Sequence, residues 1–337
     1  MKIKPDHCAS FFHILWDHLN HIVENYTKFL NEPLVQKWSR KVITIVWVLL
    51  LGLILVGAWK YRASIEPLIK SANYSYFLIS AIFFLLSIGF AVISWSFIMR
   101  QFAPTLKTWT HVYIFCTSLA ARRLPGTIWY IGGRLSLYKH WGISPIKTSI
   151  ASTIEIIVNL ISGSITGLFF IIIGVKLSLP LVILLMICLG FGLIFLHPQF
   201  LTRLLIKLHH PLEDPLSFKV ILTWIVPYML NWISGGLIYY FIISAFSPLN
   251  FKTLFFILGA WAMSGVASIL TTFLPSSFGV AEITMAAFIS TLMPLPLAFG
   301  IAIIFRFFTA IIEVILSFVF FHFFKDYTPK PDEIEIN

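Results

Sequence analysis

Three charged side chains stand in the last long apolar region of this chain, and they are its best candidates for chemistry. Glu282, Arg306 and Glu313 all lie within the strongly apolar region 280–324. Ionisable groups are costly at membrane depth, so their presence there indicates a functional role or a specific ion pair. Arg306 can hold a phosphate through two parallel hydrogen bonds. Glu282 can hold a cationic headgroup, carry a proton or pair with Arg306, and Glu313, two helical turns beyond Arg306, belongs to the same candidate substrate site.

Two short breaks interrupt the apolar pattern. Each contains Leu-Pro followed by small or polar residues, and glycine there permits a turn. The break residues are Pro125 and Gly126 in the first, and Pro275, Ser276, Ser277 and Gly279 in the second. Irregular backbone at membrane depth is tolerated only where it is buried in protein or lines a cavity, so each break predicts a re-entrant hairpin.

Basic and aromatic residues flank the first break. Arg122 and Arg123 precede it, and Trp129 and Arg134 follow it. One interpretation is anchoring at the membrane interface, combined with the positive charge typical of cytoplasmic loops. The other is a cytoplasmic collector for anionic lipid headgroups, which makes all four residues candidates for substrate binding.

A polar pair lies in the long apolar stretch after the first break. Glu155 and Asn159 are one helical turn apart and therefore share a face. We predict that they are the counterpart, in the first half of the chain, of the charges around Arg306. They either bind substrate, with Glu155 holding a cation, a sugar hydroxyl or a proton, or they make a structural contact.

The composition excludes most soluble functions. The chain of 337 residues is 58% hydrophobic and 11% charged, whereas soluble domains carry roughly 25% charged residues. The net charge of +10 follows the sides of a membrane, so we predict no nucleic-acid partner. The cysteines and histidines lack the spacing of a metal site. No nucleophile–base constellation and no phosphate-binding loop is present, which predicts a protein that is not an enzyme and uses no cofactor.

The apolar runs predict an all-α integral membrane protein with about six transmembrane helices and two broken re-entrant hairpins. The predicted spans are 42–59, 76–99, 147–175, 181–196, 220–246 and 298–324. Residues 1–41 form a cytoplasmic amphipathic segment and 325–337 a cytoplasmic tail. Between them, 42–175 is a first membrane repeat with its hairpin near 108–140, and 176–324 a second with its hairpin near 253–297.

The two repeats are predicted to insert in opposite directions. A shift of 150 residues brings Pro125 onto Pro275, and each half then reads span, span, broken hairpin, span. Three spans per half is an odd number, so the halves have inverted topology, as in many transporters.

The charge distribution predicts the orientation. Eighteen Lys and Arg residues lie in the segments on the same side as both termini, against five on the other side. The positive-inside rule therefore places both termini in the cytoplasm, in a multi-pass protein of the cytoplasmic (inner) membrane.

The motifs around both breaks resemble one known family. In the first half they are Arg123-Leu124-Pro125-Gly126-Thr127-Ile128-Trp129, Gly133-Arg134, Gly142-Ile143-Ser144 and Glu155; in the second they are Leu274-Pro275, Phe278-Gly279-Val280, Glu282 and Arg306. Their order and spacing resemble the lysylphosphatidylglycerol synthase transmembrane family, also called flippase-like domain proteins, over residues 42–324. The resemblance implies lipid translocation across a bacterial inner or archaeal membrane. The soluble synthase domain of the name-giving members is not in this sequence, so aminoacyl transfer is not expected.

We therefore predict a flippase for a phosphate-bearing lipid, which is a phospholipid, an aminoacyl-phospholipid or a polyprenyl-linked saccharide. A proton- or ion-coupled transporter of small solutes is the first alternative, because acidic residues at membrane depth also suit it. An intramembrane transferase acting on a lipid-linked substrate is the second. The partners expected are membrane lipids and the lipid-synthesising or glycosyltransferase enzymes that supply them. The sequence carries no signal for an oligomeric state.

Overall fold

The computed structural model describes residues 72–123, 128–174, 183, 189–190, 193–194, 196–207, 216–271 and 280–324. The predictions for 1–41, for the span 42–59, for most of the span 181–196 and for 325–337 concern residues outside this set. So do those for the break residues Pro125, Gly126, Pro275, Ser276, Ser277 and Gly279, and for the side chain of Arg123.

The described residues form helices and contain no strand, which confirms the all-α class. The helices are α1 (Ser75–Arg100), α2 (Thr108–Ser118), α3 (Ile128–Lys139), α4 (Pro145–Gly174), α5 (Pro198–Lys207), α6 (Phe218–Phe246), α7 (Phe251–Leu270), α8 (Val280–Ile289) and α9 (Leu295–Phe323). A short 3-10 helix, Leu119–Arg123, continues α2.

Among these helices, α1, α4, α6, α7 and α9 are long and apolar enough to cross a membrane. The shortest of them, α7, has 20 residues and therefore measures about 30 Å, the thickness of the hydrocarbon core. The predicted spans 76–99, 147–175, 220–246 and 298–324 coincide within a few residues with α1, α4, α6 and α9. The chain is thus a helical protein with the features of a multi-pass membrane protein.

The helices around the two breaks differ in length. Helix α2 has 11 residues and α3 has 12, so each measures about 16–18 Å and is too short to cross. After the second break, α8 has 10 residues and is also too short, whereas α7 is long enough to cross by itself. The two re-entrant hairpins stay predictions.

Helix α6 corrects one expectation from the sequence. Pro227, Asn231 and the pair Gly235-Gly236 predict an interrupted span, but α6 is one continuous helix from Phe218 to Phe246. The glycines serve close packing instead. A Cβ at Gly236 would lie 2.9 Å from the Cα of Leu258 on α7.

The polar segment 197–219, which lies between two predicted spans, is expected from the sequence to be a loop, but it holds a helix. Helix α5 places Leu201 and Leu205 in the core, where they are buried, and exposes Arg203. The spacing of four residues puts both leucines on one face, which is the pattern of an amphipathic helix.

Helices α1 and α6 pack antiparallel through three serines spaced seven residues apart. Each serine of α1 donates a hydrogen bond to α6: Ser80 Oγ to Ile238 O at 3.3 Å, Ser87 Oγ to Asn231 Oδ1 at 2.7 Å, and Ser94 Oγ to Trp224 O at 2.6 Å. The acceptors recur at the same seven-residue interval in the reverse direction. Small hydroxyl side chains let apolar helices approach closely and supply bonds that lipid cannot offer.

Helices α4 and α7 approach each other through glycines. A Cβ at Gly259 of α7 would lie 2.6 Å from the backbone nitrogen of Ile171, and one at Gly174 of α4 would lie 2.7 Å from that of Phe256. At these points backbone meets backbone, so only glycine fits. Ile171 of α4 meets Gly259 of α7, whereas Gly174, three residues later in α4, meets Phe256, three residues earlier in α7. The two helices are therefore antiparallel.

The long pair α1–α6 belongs to both hydrophobic cores of the described chain. One core gathers around Trp95 and Trp224, and the other gathers around Tyr239 with residues of α7, α8 and α9. Between them, at the middle of the pair, Ser87 and Asn231 face a cavity. The packing of α1 against α6 therefore fixes where that cavity lies.

Gly259→Ala is expected to destabilise the protein by about 1–3 kcal/mol, because the new methyl group overlaps the backbone of α4. Gly300→Ala is the matched control, since nothing lies within 4 Å of a Cβ at that helical glycine. It should be neutral or slightly stabilising through helix propensity. The measurement is the thermal unfolding midpoint of the purified protein in detergent. Equal midpoints for the two variants would contradict the close backbone packing.

Candidate functional site

Arg134 and Glu155 form a buried ion pair between α3 and α4. Arg134 Nη1 donates to Glu155 Oε2 at 2.5 Å, and Arg134 Nε donates to Ser118 Oγ at 3.3 Å. Glu155 also accepts hydrogen bonds from the hydroxyls of Tyr228, at 2.6 Å, and Tyr130, at 3.4 Å. Both carboxylate oxygens and the guanidinium are thus engaged by protein groups. The pair links α3, α4 and α6.

Three aromatic rings enclose the guanidinium of Arg134. Its Cζ lies 4.0 Å from the ring centroid of Trp95, 4.5 Å from that of Phe115 and 4.8 Å from that of Tyr130. Cation–π attraction strengthens when water is excluded, and Arg134 is only 1% exposed. The sequence analysis placed Arg134 at the membrane edge as an anchor or headgroup collector. The structure places it in the interior instead, because rings from α1, α2 and α3 surround it.

A second ion pair joins α8 to α9. Arg306 Nη1 donates to Glu282 Oε1. This pair is far more accessible than the first, since the side chains are 32% exposed for Arg306 and 14% for Glu282. Glu282 Oε2 is buried and accepts no hydrogen bond from the described residues.

A cavity of about 380 Å³ is lined by residues of the helices α1–α4 and α6–α9 and of the 3-10 helix. Arg306, Glu282, Arg122 and Glu313 all line it, so two positive and two negative charges face one space. The rest of its wall is largely apolar and aromatic. Small-molecule sites commonly combine such walls with a few polar groups that fix the orientation of the ligand. Charges act strongly on one another in such surroundings, because the effective dielectric constant is below that of water.

An aromatic cluster of Tyr239, Trp261 and Phe305 forms part of the cavity wall. The ring centroids are 4.7 Å apart for Tyr239 and Phe305, and 4.8 Å apart for Trp261 and Phe305. The hydroxyl of Tyr239 is buried with no hydrogen-bond partner in the described part of the chain, and so is Asn159 Oδ1. Most buried polar atoms in proteins have a partner. The unpaired Tyr239 hydroxyl and Asn159 Oδ1 are therefore exceptions to that rule.

Arg122 and Glu313 form a second charged group on the same cavity. Arg122 is exposed on the 3-10 helix before the first break, and Glu313 is buried on α9. Both side chains line the cavity, so a positive and a negative charge meet there. The Cζ of Arg122 lies 5.8 Å from the ring centroid of Tyr130, which also lines the cavity.

The structure thus divides the candidate residues into two groups. The cavity brings together Arg306, Glu282, Glu313, Arg122 and Asn159. Glu155 and Arg134 form the separate closed pair, and half-buried Trp129 on α3 is not part of the cavity wall. Glu155 and Asn159 share α4, but only Asn159 contributes to the cavity.

The sequence did not indicate several residues of the cavity wall or the partners of Glu155 and Ser87. Tyr239 and Trp261 line the cavity, Tyr228 binds Glu155, and Asn231 accepts the bond from Ser87. Tyrosine and tryptophan within apolar runs usually indicate core packing or an interface, so their type alone gave no signal. Asn231 was visible as a polar residue in a span, but it was interpreted as an interruption.

The described residues include no cluster of three or more His, Cys, Asp or Glu side chains that could hold a metal ion. The polar groups of the cavity are guanidinium, carboxylate, amide and hydroxyl. Such a set suits an organic ligand with charges and hydrogen-bond donors.

No protein-family model, curated protein or solved structure matches this chain. The resemblance to the flippase-like family therefore stays a prediction from the sequence motifs. The function has to be argued from the cavity and its charges.

The double-mutant cycle of Arg134→Met and Glu155→Leu tests the structural role of the closed pair. Arg134→Met alone should lower stability by about 3–5 kcal/mol, because it leaves the Glu155 carboxylate buried without its counter-charge. Adding Glu155→Leu should restore much of the loss, since the buried charge is then gone. The measurement is unfolding in detergent or bicelles. Additive losses in the double variant would contradict the pairing.

Proposed function

We propose that this protein is a translocase for a phosphate-bearing lipid. The observation that carries the proposal is the cavity with two arginines and two glutamates, set among helices long enough to cross a membrane. Charges at membrane depth mark substrate and ion pathways. Arginine is the side chain best fitted to a phosphate, since its planar fork donates two parallel hydrogen bonds.

The size of the cavity supports a lipid headgroup as the ligand. Its volume of about 380 Å³ lies near the lower end of the range for small-molecule pockets, roughly 300–1,000 Å³. That space suits a polar headgroup but not two acyl chains or a long prenyl chain. The tails would therefore stay in the surrounding lipid while the headgroup passes through the protein.

The pair of Glu282 and Arg306 is suited to exchange partners during transport. A phosphate entering the cavity competes with the Glu282 carboxylate for the Arg306 guanidinium. Arg306 is one-third exposed, so this exchange does not require a fully buried charge to be uncovered. A donor on the headgroup, such as an ammonium or a sugar hydroxyl, can then bond the released carboxylate.

Matched helix packing supports an inverted repeat. Helix α1 packs antiparallel on α6, its counterpart under the 150-residue shift. Helix α7 packs on α4, and the corresponding helix α2 packs on α9.

The two ion pairs are also equivalent under this shift. Each joins a short helix after a break to the long helix that follows: Arg134 to Glu155, and Glu282 to Arg306. The sign of the charge on each element is reversed between the halves. We propose six spans, two re-entrant hairpins, cytoplasmic termini and a cytoplasmic-membrane location on this basis together with the charge bias. Enzymes that make or elongate the lipid would supply the substrate.

One observation favours a second candidate, an ion- or proton-coupled transporter of small solutes. Glu282 lines the cavity, and its Oε2 is buried with no hydrogen-bond partner among the described residues. Carboxylates among membrane helices commonly belong to ion and proton pathways. Proton or solute flux into vesicles without any movement of lipid would select this candidate. Two arginines on the cavity favour the phosphate-bearing substrate.

Translocation can be measured in proteoliposomes that contain phospholipids with a fluorescent label on an acyl chain. Chemical bleaching of the outer leaflet reports the fraction of labelled lipid that has reached it. The wild-type protein should move labelled phosphatidic acid, phosphatidylglycerol or phosphatidylethanolamine between leaflets. Arg306→Ala should slow the movement of all three lipids at least about tenfold, the effect of losing one charge-assisted bond to the phosphate. Glu282→Ala should do the same for phosphatidylethanolamine, whose ammonium the carboxylate would bind. Arg203→Ala is the control, because Arg203 is exposed on α5 and lies outside the cavity.

Native mass spectrometry of lipids that copurify with the protein would identify the headgroup and extend the test to polyprenyl-linked saccharides. Wild-type rates in both cavity variants would reject the site. Absence of translocation of every lipid tested, including those that copurify, would reject the function.

A further inference from the structure

The cavity wall has an uncharged polar part as well as a charged one. Its ionised side chains all come from the 3-10 helix, α8 and α9. The helices α1, α4 and α6 contribute neutral polar groups instead, namely the hydroxyl of Ser87 and the amides of Asn159 and Asn231. These three side chains are called the amide group below.

Direct contacts between helices bring the amide group together. Trp232, which follows Asn231 on α6, donates from Nε1 to the backbone carbonyl of Asn159 on α4 at 3.0 Å. Ser87 Oγ of α1 donates to Asn231 Oδ1 at 2.7 Å. A Cβ at Gly163, one turn after Asn159, would lie 2.7 Å from the ring of Trp232, so α4 and α6 touch at this level. The amide group therefore lies where α1, α4 and α6 meet.

The contacts between these helices leave part of the hydrogen-bonding capacity of both amides unused. A side-chain amide has two donor hydrogens and an acceptor oxygen. Asn231 accepts from Ser87 through its oxygen, and Asn159 Oδ1 is buried without a partner among the described residues. Asparagines that only join membrane helices spend their amides on bonds across the helix contact. Here the bond between α4 and α6 uses the backbone carbonyl of Asn159 instead.

A row of aromatic rings along the cavity wall connects the amide group to Arg306. The ring centroids of Trp232 and Trp261 are 6.3 Å apart, and those of Trp261 and Phe305 are 4.8 Å apart. Phe305 directly precedes Arg306, and all of these residues line the cavity. One ligand can therefore place its carbon skeleton on the rings, with polar contacts at both ends of the row.

We propose that the amide group is a subsite for the hydroxyls of a polyol headgroup, such as glycerol, inositol or a hexose, whose phosphate is held by Arg306. This inference rests on the proposed function and names its substrate class. A hydroxyl both donates and accepts hydrogen bonds, as an amide does, so the two groups satisfy each other. An ammonium only donates, and an alkyl headgroup would leave the amides without partners, which costs free energy.

The test compares two lipids that share a phosphodiester and its charge. Phosphatidylinositol carries a polyol, whereas phosphatidylethanol carries an ethyl group without a hydroxyl. The affinity of the purified protein for each follows from the rise in thermal midpoint with lipid concentration. Wild type should bind phosphatidylinositol at least about tenfold more tightly than phosphatidylethanol, the effect of two neutral hydrogen bonds.

Asn159→Ala and Asn231→Ala should each reduce this preference to about threefold or less and leave the affinity for phosphatidylethanol within about twofold. Both variants keep the helix contacts. Trp232 bonds to the backbone of Asn159, and Ser87 Oγ also lies 3.5 Å from the backbone carbonyl of Asn231. Ser164→Ala is the control, since Ser164 is a polar residue of α4 outside the cavity wall, and it should keep the full preference.

Arg306→Ala separates the phosphate contact from the polyol contact, because it should weaken the binding of both lipids by the same factor. Equal affinity of wild type for the two lipids would overturn the polyol subsite. So would an equal loss for both lipids in the two asparagine variants.

The same chemistry occurs in soluble polyol phosphates, so inositol 1-phosphate is the third ligand. The lipid should bind at least about tenfold more tightly than this soluble ester, because its tails add contacts with apolar surface. If the two bind equally and neither lipid moves between leaflets in proteoliposomes, the proposed function fails and the subsite belongs to a soluble ligand. If both lipids move at the same rate and bind equally, the translocase stands and the polyol subsite fails.

Discussion

An ionised side chain buried among apolar helices needs a counter-charge, and two Arg–Glu couples of the described structure meet this constraint. The desolvation cost of an isolated ion is several kcal/mol even after relaxation, so a lone arginine or glutamate there would destabilise the fold. The Arg134–Glu155 pair and the Arg306–Glu282 pair satisfy the constraint in different ways. Their surroundings, more than their chemistry, decide what each pair does.

In the closed pair, the two oxygens of Glu155 together accept four hydrogen bonds from protein groups. Two tyrosine hydroxyls and a serine complete its hydrogen bonds, and three aromatic rings shield the guanidinium from solvent and lipid. This arrangement favours one rigid packing of α3, α4 and α6. The open pair keeps one carboxylate oxygen without a partner among the described residues, and its arginine remains one-third exposed. An exchange of partners is therefore far less costly at Arg306 than at Arg134, and for this reason we propose the open pair as the substrate site.

The sequence predicted the parts of this molecule that depend on local pattern. Apolar runs of sufficient length gave α1, α4, α6 and α9 within a few residues, and the cost of charge in lipid singled out Glu282 and Arg306. The sequence did not predict the features that depend on contacts between residues far apart in the chain. Arg134 is buried partly by Trp95 of α1, a residue of another helix. Its position in the sequence, close to the first break, indicated only the membrane interface. The role of Gly236 depends on the approach of α7, which no local pattern reveals.

The central claim is that the Glu282 carboxylate and a lipid phosphate compete for Arg306. The most direct measurement is the affinity of purified protein for phosphatidic acid in detergent, obtained from the rise in thermal midpoint with lipid concentration. Glu282→Gln removes the competing charge while preserving the shape of the side chain, so it should bind phosphatidic acid about tenfold more tightly than wild type. Arg306→Met should lose most of the lipid-dependent rise. Weaker binding in Glu282→Gln, or unchanged binding in both variants, would contradict the account.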